Sequence, residues 1–312
     1  MNEILEKIQK ANHIVLISHV NPDADSLGSA SAMYTFLLQN HKKVSWFCNT
    51  LVLNQKLSFL PWFETIKSVF PNSADLAISL DCASKERLGV HVECELINID
   101  HHATNTNFGD LNFVQPAFIS TTAILYDFFK ATNAKINKKM ATSIYAGILD
   151  DSDTFLSQSV DGTTFATVCE LIDLGADIQL CNKKVIKSVS LAALRLKSLM
   201  FKNMTLEQDA RIALFYVSNE EMRASGAVAQ DCESPLEESL YLPHVEVALL
   251  LREQSDLNIK CSLRSNSSVD VGKIAALFGG GGHFHRAGFE TYEKPSLDEV
   301  KIKILDLVKK EL

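Results

Sequence analysis

Three short apolar segments of this chain each end in side chains that can bind metal ions or transfer protons. The segments lie at residues 14–17, 76–80 and 96–99, and their length and composition predict fully buried strands. The polar residues that follow them are His19, Asp23 and Asp25 after the first, Asp81 after the second, and Asp100, His101 and His102 after the third. In an open parallel sheet, ligands bind beyond the carboxyl ends of the strands, so one convergent site is expected.

The residue types at these strand ends indicate a centre for two divalent ions. Asp23 and Asp25 are two residues apart in one loop, so their carboxylates can reach two ions in one cleft. Carboxylates suit Mg²⁺ or Mn²⁺, and the imidazoles favour Mn²⁺, with Mg²⁺ as the alternative. Two such ions, about 3.5–4 Å apart, lower the pKa of water and hold phosphoryl oxygens. Hydrolysis of a phosphoester is therefore the reaction that the pattern predicts.

A second group of residues has the chemistry of an anion clamp. Arg264 and Ser265 end a predicted strand, and one predicted helix separates them from a run of four glycines. An arginine can hold a phosphate with two N–H groups, and glycines let backbone N–H groups approach an anion closely. The residues expected to bind the substrate are Arg264, Ser265, Gly280, Gly281, Gly282 and His283.

The elements that must position these residues follow from the hydrophobic pattern. The N-terminal part alternates strands and helices, with strands near 13–18, 43–47, 76–80 and 96–99 and helices near 26–40, 138–149 and 161–175. The C-terminal part is expected to be a smaller α+β unit, with strands near 211–217, 245–251 and 257–263 and helices near 271–278 and 297–311. We therefore expect an α/β fold with a parallel-sheet catalytic domain at 1–182, a basic helical connector at 183–204 and a substrate-binding domain at 205–312.

Composition limits the classes of function. The chain has 312 residues, 46% of them hydrophobic, which is enough for two buried cores. Its formal net charge of −8 argues against a general nucleic-acid-binding surface, although acids at a metal centre account for part of that charge. Seven cysteines without a C-x-x-C pair argue against a structural zinc site. With no signal-peptide pattern and no apolar stretch of membrane-spanning length, the sequence predicts a reduced cytoplasmic protein without a membrane partner.

The motifs around these residues resemble those of one family. HVNPDADSLGS at 19–29, LDCASKERLG at 80–89, IDHH at 99–102 and YAGILDDSDTF at 145–155 resemble the four N-terminal motifs of the DHH phosphoesterases. FGGGGHFHRAGF at 278–289 resembles the glycine-rich motif of the DHH-associated C-terminal domain. The motifs occur in the family order and span most of the chain. The resemblance implies a parallel-sheet DHH domain and a smaller α+β domain with the substrate cleft between them.

The resemblance also implies a role for each residue. One metal ion would be held by His19, Asp23, Asp81 and Asp151, and the other by Asp25, Asp81, His101 and Asp151, so that Asp81 and Asp151 bridge. Asp100 would orient a histidine, and His102 would bind the scissile phosphate or donate a proton to the leaving oxygen. Asp151 is chosen from the acidic run because Ser152 and Phe155 follow it at the family spacing. Asp150 and Asp153 are expected to face solvent, as are His285, to which no role is given, and Arg286, for which a phosphate contact is the alternative.

The branch that the motifs most resemble acts on short nucleotides. The expected activities are release of mononucleotides from very short RNA and removal of the 3′-phosphate of phosphoadenosine phosphate. Hydrolysis of linear dinucleotides derived from cyclic signalling nucleotides and RecJ-like single-strand exonuclease activity are the alternatives on the same scaffold. A nucleotide-binding sensor is the non-enzymatic alternative, which six metal-binding residues disfavour. Long duplex nucleic acid is not an expected partner, since no basic stripe or aromatic stacking platform is evident, and a homodimer is left open.

Overall fold

The buried apolar segments form the centre of a six-stranded sheet. This computed structural model describes residues 1–254, 256–292 and 296–312, and the chain forms two units, Met1–Ser188 and Val189–Leu312. The strands of the first unit are β1 (His13–Ser18), β2 (Lys43–Cys48), β3 (Ile66–Lys67), β4 (Leu76–Leu80), β5 (Glu95–Asp100) and β6 (Leu111–Val114). Its helices are α1 (Asn2–Lys10), α2 (Ala24–Gln39), α3 (Thr121–Ala131), α4 (Lys138–Asp151), α5 (Gly162–Asp173) and α6 (Ile178–Cys181), followed by a π-helical turn at Asn182–Ile186.

All neighbouring strands of the first sheet are parallel, which confirms the predicted fold class. The strand order is β3-β2-β1-β4-β5-β6. After β1 the chain builds two strands on one side and then crosses to β4 on the other, so the order reverses between β1 and β4. Such a switch point opens a crevice at the carboxyl ends of the strands, where doubly wound sheets bind ligands. The loop from His19 to Asp23, the first turn of α2 with Asp25, and residue Asp81 all lie at this point.

The helices α2 and α4 pack closely against each other beside this sheet. A Cβ atom on Gly28 would lie 2.5 Å from the Ser143 carbonyl oxygen, so only glycine allows the two helices this approach. Gly28 lies inside α2, which begins at Ala24, so it serves this helix contact rather than the turn that follows β1.

The second unit is a mixed sheet with helices on both faces. Its strands are β7 (Thr205–Glu207), β8 (Ile212–Val217), β9 (Val247–Glu253), β10 (Ile259–Ser265), β11 (Gly281–Gly282) and β12 (Arg286–Glu290). Its helices are α7 (Leu191–Asn203), α8 (Asn219–Ser225), α9 (Glu233–Glu238), α10 (Val271–Ala276) and α11 (Leu297–Glu311). The strand order is β11-β12-β10-β9-β8-β7, and the pairs are antiparallel except for β8 with β9.

Alternation along β9 divides the apolar side chains of the second unit between two cores. Leu249 and Leu251 belong to the core that contains Ile304 of α11, whereas Leu250 belongs to the core that contains Met200 of α7. Within the segment predicted as a helical connector, residues 187–190 are not helical, and α7 starts only at Leu191. The connector and the domain limits remain a prediction. In the described part of the chain, every helix is too short or too polar to cross a bilayer.

Candidate metal centre and active site

The candidate site is built on the ends of β1, β4 and β5. Asp81 follows β4 directly and has a backbone φ of 59°, in the left-handed region that Asp tolerates better than most residues. Its N–H donates to the Ile99 carbonyl oxygen at 3.0 Å, which ties this backbone position to β5. The strained position directs the Asp81 carboxylate among the other acids and imidazoles.

The six residues predicted as metal ligands all fall into compact groups of donor atoms. Donor atoms lie within 4.8 Å of one another in three sets: His19, Asp23 and Asp81; Asp25, Asp81, His101 and Asp151; and Asp81, His101 and His102. Asp81 belongs to every set, as a bridging ligand requires. Asp151 belongs only to the second set, so its predicted bridging role remains a proposal.

Asp81 lies between two imidazole rings. Its Oδ2 is 3.4 Å from His19 Nε2, and its Oδ1 is 3.7 Å from His101 Nε2. His101 Nδ1 lies 3.4 Å from the Phe118 carbonyl oxygen, to which it can donate. With Nδ1 protonated, Nε2 is the lone-pair nitrogen that faces the acids, which is the tautomer a metal ligand needs.

The amino-terminal end of α3 holds the Asp25 carboxylate. Thr121 N–H donates to Asp25 Oδ2 at 2.7 Å, and Thr122 donates to Oδ1 from its N–H at 2.9 Å and its hydroxyl at 2.6 Å. Thr121 Oγ1 also donates to Asp81 Oδ1 at 3.2 Å. A Cβ atom on Gly147 would lie 2.4 Å from both Asp25 Oδ1 and Thr122 Oγ1, so α4 must carry a glycine here. The sequence motifs gave no role to this threonine pair, although the affinity of helix amino termini for anions is a signal that could have indicated the contact.

Asp100 and His102 form a hydrogen-bonded pair. Asp100 is fully buried, and its Oδ1 lies 2.7 Å from His102 Nδ1, which leaves Nε2 of His102 without a protein partner in the described residues. Asn105 Nδ2 donates to Asp100 Oδ2 at 2.5 Å and fixes the carboxylate from the other side. Burial alone would raise the pKa of Asp100, but the hydrogen bonds from His102 and Asn105 lower it below the usual value. An ionised Asp100 therefore orients the ring of His102, and Asn105 is a contributor that the sequence did not reveal.

His19 has a neighbour that the sequence analysis did not anticipate. The Arg87 guanidinium lies 2.9 Å from Nδ1 and 3.2 Å from Nε2 of the imidazole. Burial lowers the pKa of His19, and the charge of Arg87 acts in the same direction. His19 is therefore held neutral, the form in which an imidazole binds a metal.

The acids of this site have raised pKa values because they are buried together. Burial raises the pKa of Asp25 and Asp81, and neighbouring carboxylates act in the same direction. Burial and the charge of Asp25 raise the pKa of Asp151 to about 8. Burial alone would lower the pKa of His101, but its contact with Asp151 and the charge of Asp25 outweigh burial and raise it to about 9. Protons or divalent cations must balance the negative charge gathered here.

The donor set fits divalent cations. Asp151 Oδ2 is buried, and His101 Nε2 lies 3.0 Å from it. A buried carboxylate oxygen is costly unless a hydrogen bond or an ion compensates its charge. Carboxylate oxygens with a minority of imidazole nitrogens are ligands that Mg²⁺ and Mn²⁺ accept. These acidic and histidine residues can therefore form a metal site.

The acidic run at the end of α4 differs from expectation at one position. Asp153 is exposed, as predicted. Asp150 is half-buried rather than exposed, and its Oδ2 accepts a hydrogen bond from Ala24 N–H at 2.9 Å. Burial and the charge of Asp23 raise the pKa of Asp150 to about 6. The prediction failed because the first turn of α2 offers an unpaired N–H group at this place, and such a group attracts a carboxylate.

The glycine run of the second unit is a short edge strand rather than an open loop. Gly281 and Gly282 pair with Gly288 and Ala287 of β12. Gly280 donates its N–H to the Ala275 carbonyl oxygen at 3.0 Å, so that N–H is not free to bind an anion. A Cβ atom on Gly280 would lie 2.4 Å from the Gly288 carbonyl oxygen, which explains this glycine by close backbone approach.

The other predicted substrate-binding residues lie beside this edge. His283 is exposed, and its N–H donates to the Arg286 carbonyl oxygen at 2.7 Å. Ser265 is buried, and its N–H donates to the His285 carbonyl oxygen at 3.0 Å. Arg264 is 6% exposed and ion-paired with Glu233 and Glu237. Arg286 is exposed, as expected, and it also pairs with the same two glutamates, at 3.3 and 3.7 Å.

Comparison with known proteins agrees with this arrangement of two units. The N-terminal domain of the DHH family matches residues 13–148, and the DHHA1 domain matches residues 209–311. The chain belongs to the DHH family. This confirms the resemblance drawn from the motifs, and the chain is a phosphoesterase of that family.

Relatives match the DHH chain over nearly its full length. The bifunctional oligoribonuclease and PAP phosphatase NrnA of Thermus thermophilus is 28% identical over 315 residues, which cover 99% of this chain and 93% of the relative. The crystal structure of an exopolyphosphatase-related protein from Bacteroides fragilis has a TM-score of 0.88 at 26% identity, covering 98% of this chain and 94% of that one. RecJ of Thermus thermophilus in complex with Mn²⁺ has a TM-score of 0.58 at 13% identity, covering 99% of this chain and 54% of RecJ. The likeness to RecJ shows the fold alone.

Proposed function

We propose that this DHH protein hydrolyses very short RNA to mononucleotides and removes the 3′-phosphate of phosphoadenosine phosphate. The observation that carries the proposal is the pair of donor sets that share Asp81 at the switch point of a parallel sheet. The full-length similarity to a protein named for both activities supports the choice of substrates. We place the activity in the cytoplasm, as the sequence predicted.

Two divalent ions, Mn²⁺ in preference to Mg²⁺, are proposed to be held by the predicted ligands. His19, Asp23 and Asp81, which form one compact set, would hold one ion together with Asp151. Asp25, Asp81, His101 and Asp151, which form another set, would hold the second ion. When bound, such ions lower the pKa of the attacking water and balance charge on the phosphoryl oxygens. The protein keeps His19 neutral by burial and orients His101 through the Phe118 carbonyl group. These contacts prepare both imidazoles as ligands before substrate arrives.

His102 is proposed to act on the leaving group. Asp100 holds Nδ1 of His102, so Nε2 is the nitrogen that can meet the substrate. A protonated ring would donate to the leaving oxygen as the phosphoester bond breaks, and it would bind the phosphate beforehand. Asn105 secures Asp100 and thereby the ring orientation.

The second unit is proposed to bind the end of the substrate that does not react. Arg264 is the main anchor, with Ser265, Gly281, Gly282 and His283 around it. Gly280 is proposed to shape this edge through close packing rather than through its N–H group. This edge is proposed to bind one terminal nucleotide, which would favour short substrates over long strands.

A substrate panel tests the proposal directly. Purified protein is assayed with RNAs of 2 to 10 nucleotides and with phosphoadenosine phosphate, each in Mn²⁺ and in Mg²⁺. We expect mononucleotide release that is fastest for the shortest RNAs, phosphate release from phosphoadenosine phosphate, and higher rates in Mn²⁺. Faster turnover of long single strands would favour the RecJ-like exonuclease alternative. Turnover only of linear dinucleotides derived from cyclic signalling nucleotides would favour the alternative of a phosphodiesterase for those dinucleotides. No hydrolysis with either metal would refute the proposal.

A further inference from the structure

Two arginines stand opposite each other in the sheet of the second unit. Arg264 of β10 and Arg286 of β12 are direct cross-strand partners. Like charges in this position destabilise an antiparallel pair unless an anion lies between them. Arg264 is almost fully buried, so solvent does not screen its charge, whereas the side chain of Arg286 is 60% exposed. The two arginines therefore place positive charge at one point of the sheet edge, and a negatively charged group is needed to balance it.

The Glu233 carboxylate contacts both arginines and balances part of this positive charge. Nη2 of Arg264 and Nη2 of Arg286 both contact Oε2 of Glu233, the latter at 3.3 Å. Glu237, one turn further along α9, lies 3.4 Å from Arg264 Nε and 3.7 Å from Arg286 Nη1. Two guanidinium groups that share one oxygen are also the arrangement by which arginines hold a phosphate. Glu233 thus lies where a phosphate oxygen of a ligand would bind.

The arginine pair adjoins the residues already proposed to bind substrate. Ser265 follows Arg264 directly, and a tight turn links His283 to Arg286. In that turn His283 N–H donates to the Arg286 carbonyl oxygen at 2.7 Å, and Arg286 N–H donates back to the His283 carbonyl oxygen at 3.3 Å. Arg286 is therefore held at the end of the glycine edge, with its exposed guanidinium accessible to a ligand.

We propose that Arg264 and Arg286 form a binding site for a terminal phosphate monoester, and that Glu233 fills this site until the phosphate displaces it. The inference rests on the proposed function and names the feature of the substrate that the second unit selects. A phosphate monoester carries a charge near −2 at neutral pH, whereas a carboxylate or an internal diester carries −1. A terminal monoester can therefore displace Glu233, and a chain with only diester phosphates competes poorly. Because a ligand must displace Glu233, the site favours nucleotides whose terminal phosphate carries more negative charge than a carboxylate.

Direct binding tests the site without relying on hydrolysis. Adenosine 5′-monophosphate and adenosine are titrated into the full-length, Mn²⁺-loaded protein by calorimetry. Glu233→Gln should bind the monophosphate about tenfold more tightly than the unaltered protein, and Arg286→Gln about tenfold more weakly, because each change alters one charge at the site. Adenosine binding should be unaffected in both. Glu238→Gln is the matched control, since Glu238 lies on the same helix but pairs with Lys197, at 2.5 Å.

Hydrolysis provides the second readout. Between a dinucleotide with a 5′-phosphate and the same dinucleotide with a 5′-hydroxyl, the unaltered protein should show the lower KM for the phosphorylated form. Arg286→Gln should reduce that preference at least fivefold, through a higher KM for the phosphorylated form. If Glu233→Gln does not fold, Glu237→Gln should tighten monophosphate binding in the same direction by a smaller factor. Equal monophosphate affinity in the unaltered protein, the glutamine variants at 233 or 237 and Arg286→Gln would overturn the inference. That outcome would leave the proposed function standing if the RNA panel is hydrolysed.

Discussion

The two units of this chain solve opposite electrostatic problems. In the first, Asp25, Asp81 and Asp151 gather negative charge whose balance must come from protons or cations. In the second, Arg264 and Arg286 gather positive charge, and Glu233 balances it from within the same unit. A site that binds a cation from solution must keep excess negative charge when the cation is absent. A site that selects among anions can instead contain a carboxylate, which only a more strongly bound anion displaces. This difference in charge balance suits the first unit to catalysis and the second unit to recognition of the substrate.

The largest expected effect breaks the first site. Asp81→Asn should lower kcat/KM at least about 10³-fold, since it weakens a ligand shared by both ions, and supporting residues alone are worth about 10–100-fold. Asparagine is chosen because it tolerates the left-handed backbone of Asp81, which alanine does not. Activity is measured on a dinucleotide in Mn²⁺. Asp153→Asn is the matched control because Asp153 is a nearby exposed acid, and it should keep full activity. A fully active Asp81→Asn protein would contradict the bridging role.

A second prediction sharpens the contrast through stability. In metal chelator at pH 8, Asp81→Asn should raise the free energy of unfolding by about 1 kcal/mol, because it removes a buried charge from a cluster of like charges. Glu233→Gln should lower it by about 1 kcal/mol, because it leaves two arginines facing each other with less compensation. Urea unfolding of both variants measures the signs. The comparison fails if the two substitutions shift stability in the same direction.

The smallest expected effect links pH to metal binding. The pKa values of Asp151, about 8, and His101, about 9, are raised in the folded, metal-free protein, so this state binds more protons than the unfolded chain. Its stability must therefore fall as pH rises from about 6 through 8. Mn²⁺ binds the deprotonated groups, so the gain in Tm on adding Mn²⁺ should be larger at pH 8 than at pH 6, by roughly 2–4 °C. Thermal unfolding at both pH values, with chelator as the reference, measures it, and equal gains would contradict the assignment.

Much of the fold was predictable from the sequence. The strands β1, β4 and β5 lie where the apolar segments predicted them, because a short apolar run that stops at a polar group is typical of a strand buried in a parallel sheet. Helix α5 lies within the predicted residues 161–175, and α11 spans the predicted residues 297–311. The fold class and the family are confirmed. The structure groups the predicted metal ligands, whose roles remain a proposal.

What the sequence did not reveal depends on distant pairing. Glu233 is 31 positions from Arg264, and no local pattern couples a short helix to a strand end at that distance. Asp150 was expected in solvent because its partner is a backbone N–H group, which every residue but proline carries and no sequence pattern marks. Arg87 and Asn105 were overlooked for the same reason, since their functions follow from where turns place them. Burial patterns identify elements, but they do not identify which polar groups meet.

Gly147 carries a consequence for how lineages of such proteins diverge. It has no side chain that could hold an ion, yet a single methyl group there would meet both Asp25 and Thr122. A protein encoded by a duplicated gene could keep every acidic and histidine residue of the centre and still lose activity through substitution of Gly147 by a residue as small as alanine. Inventories of catalytic side chains would count that copy as intact. Comparing residue 147 together with the metal ligands therefore distinguishes active homologues from inactive ones.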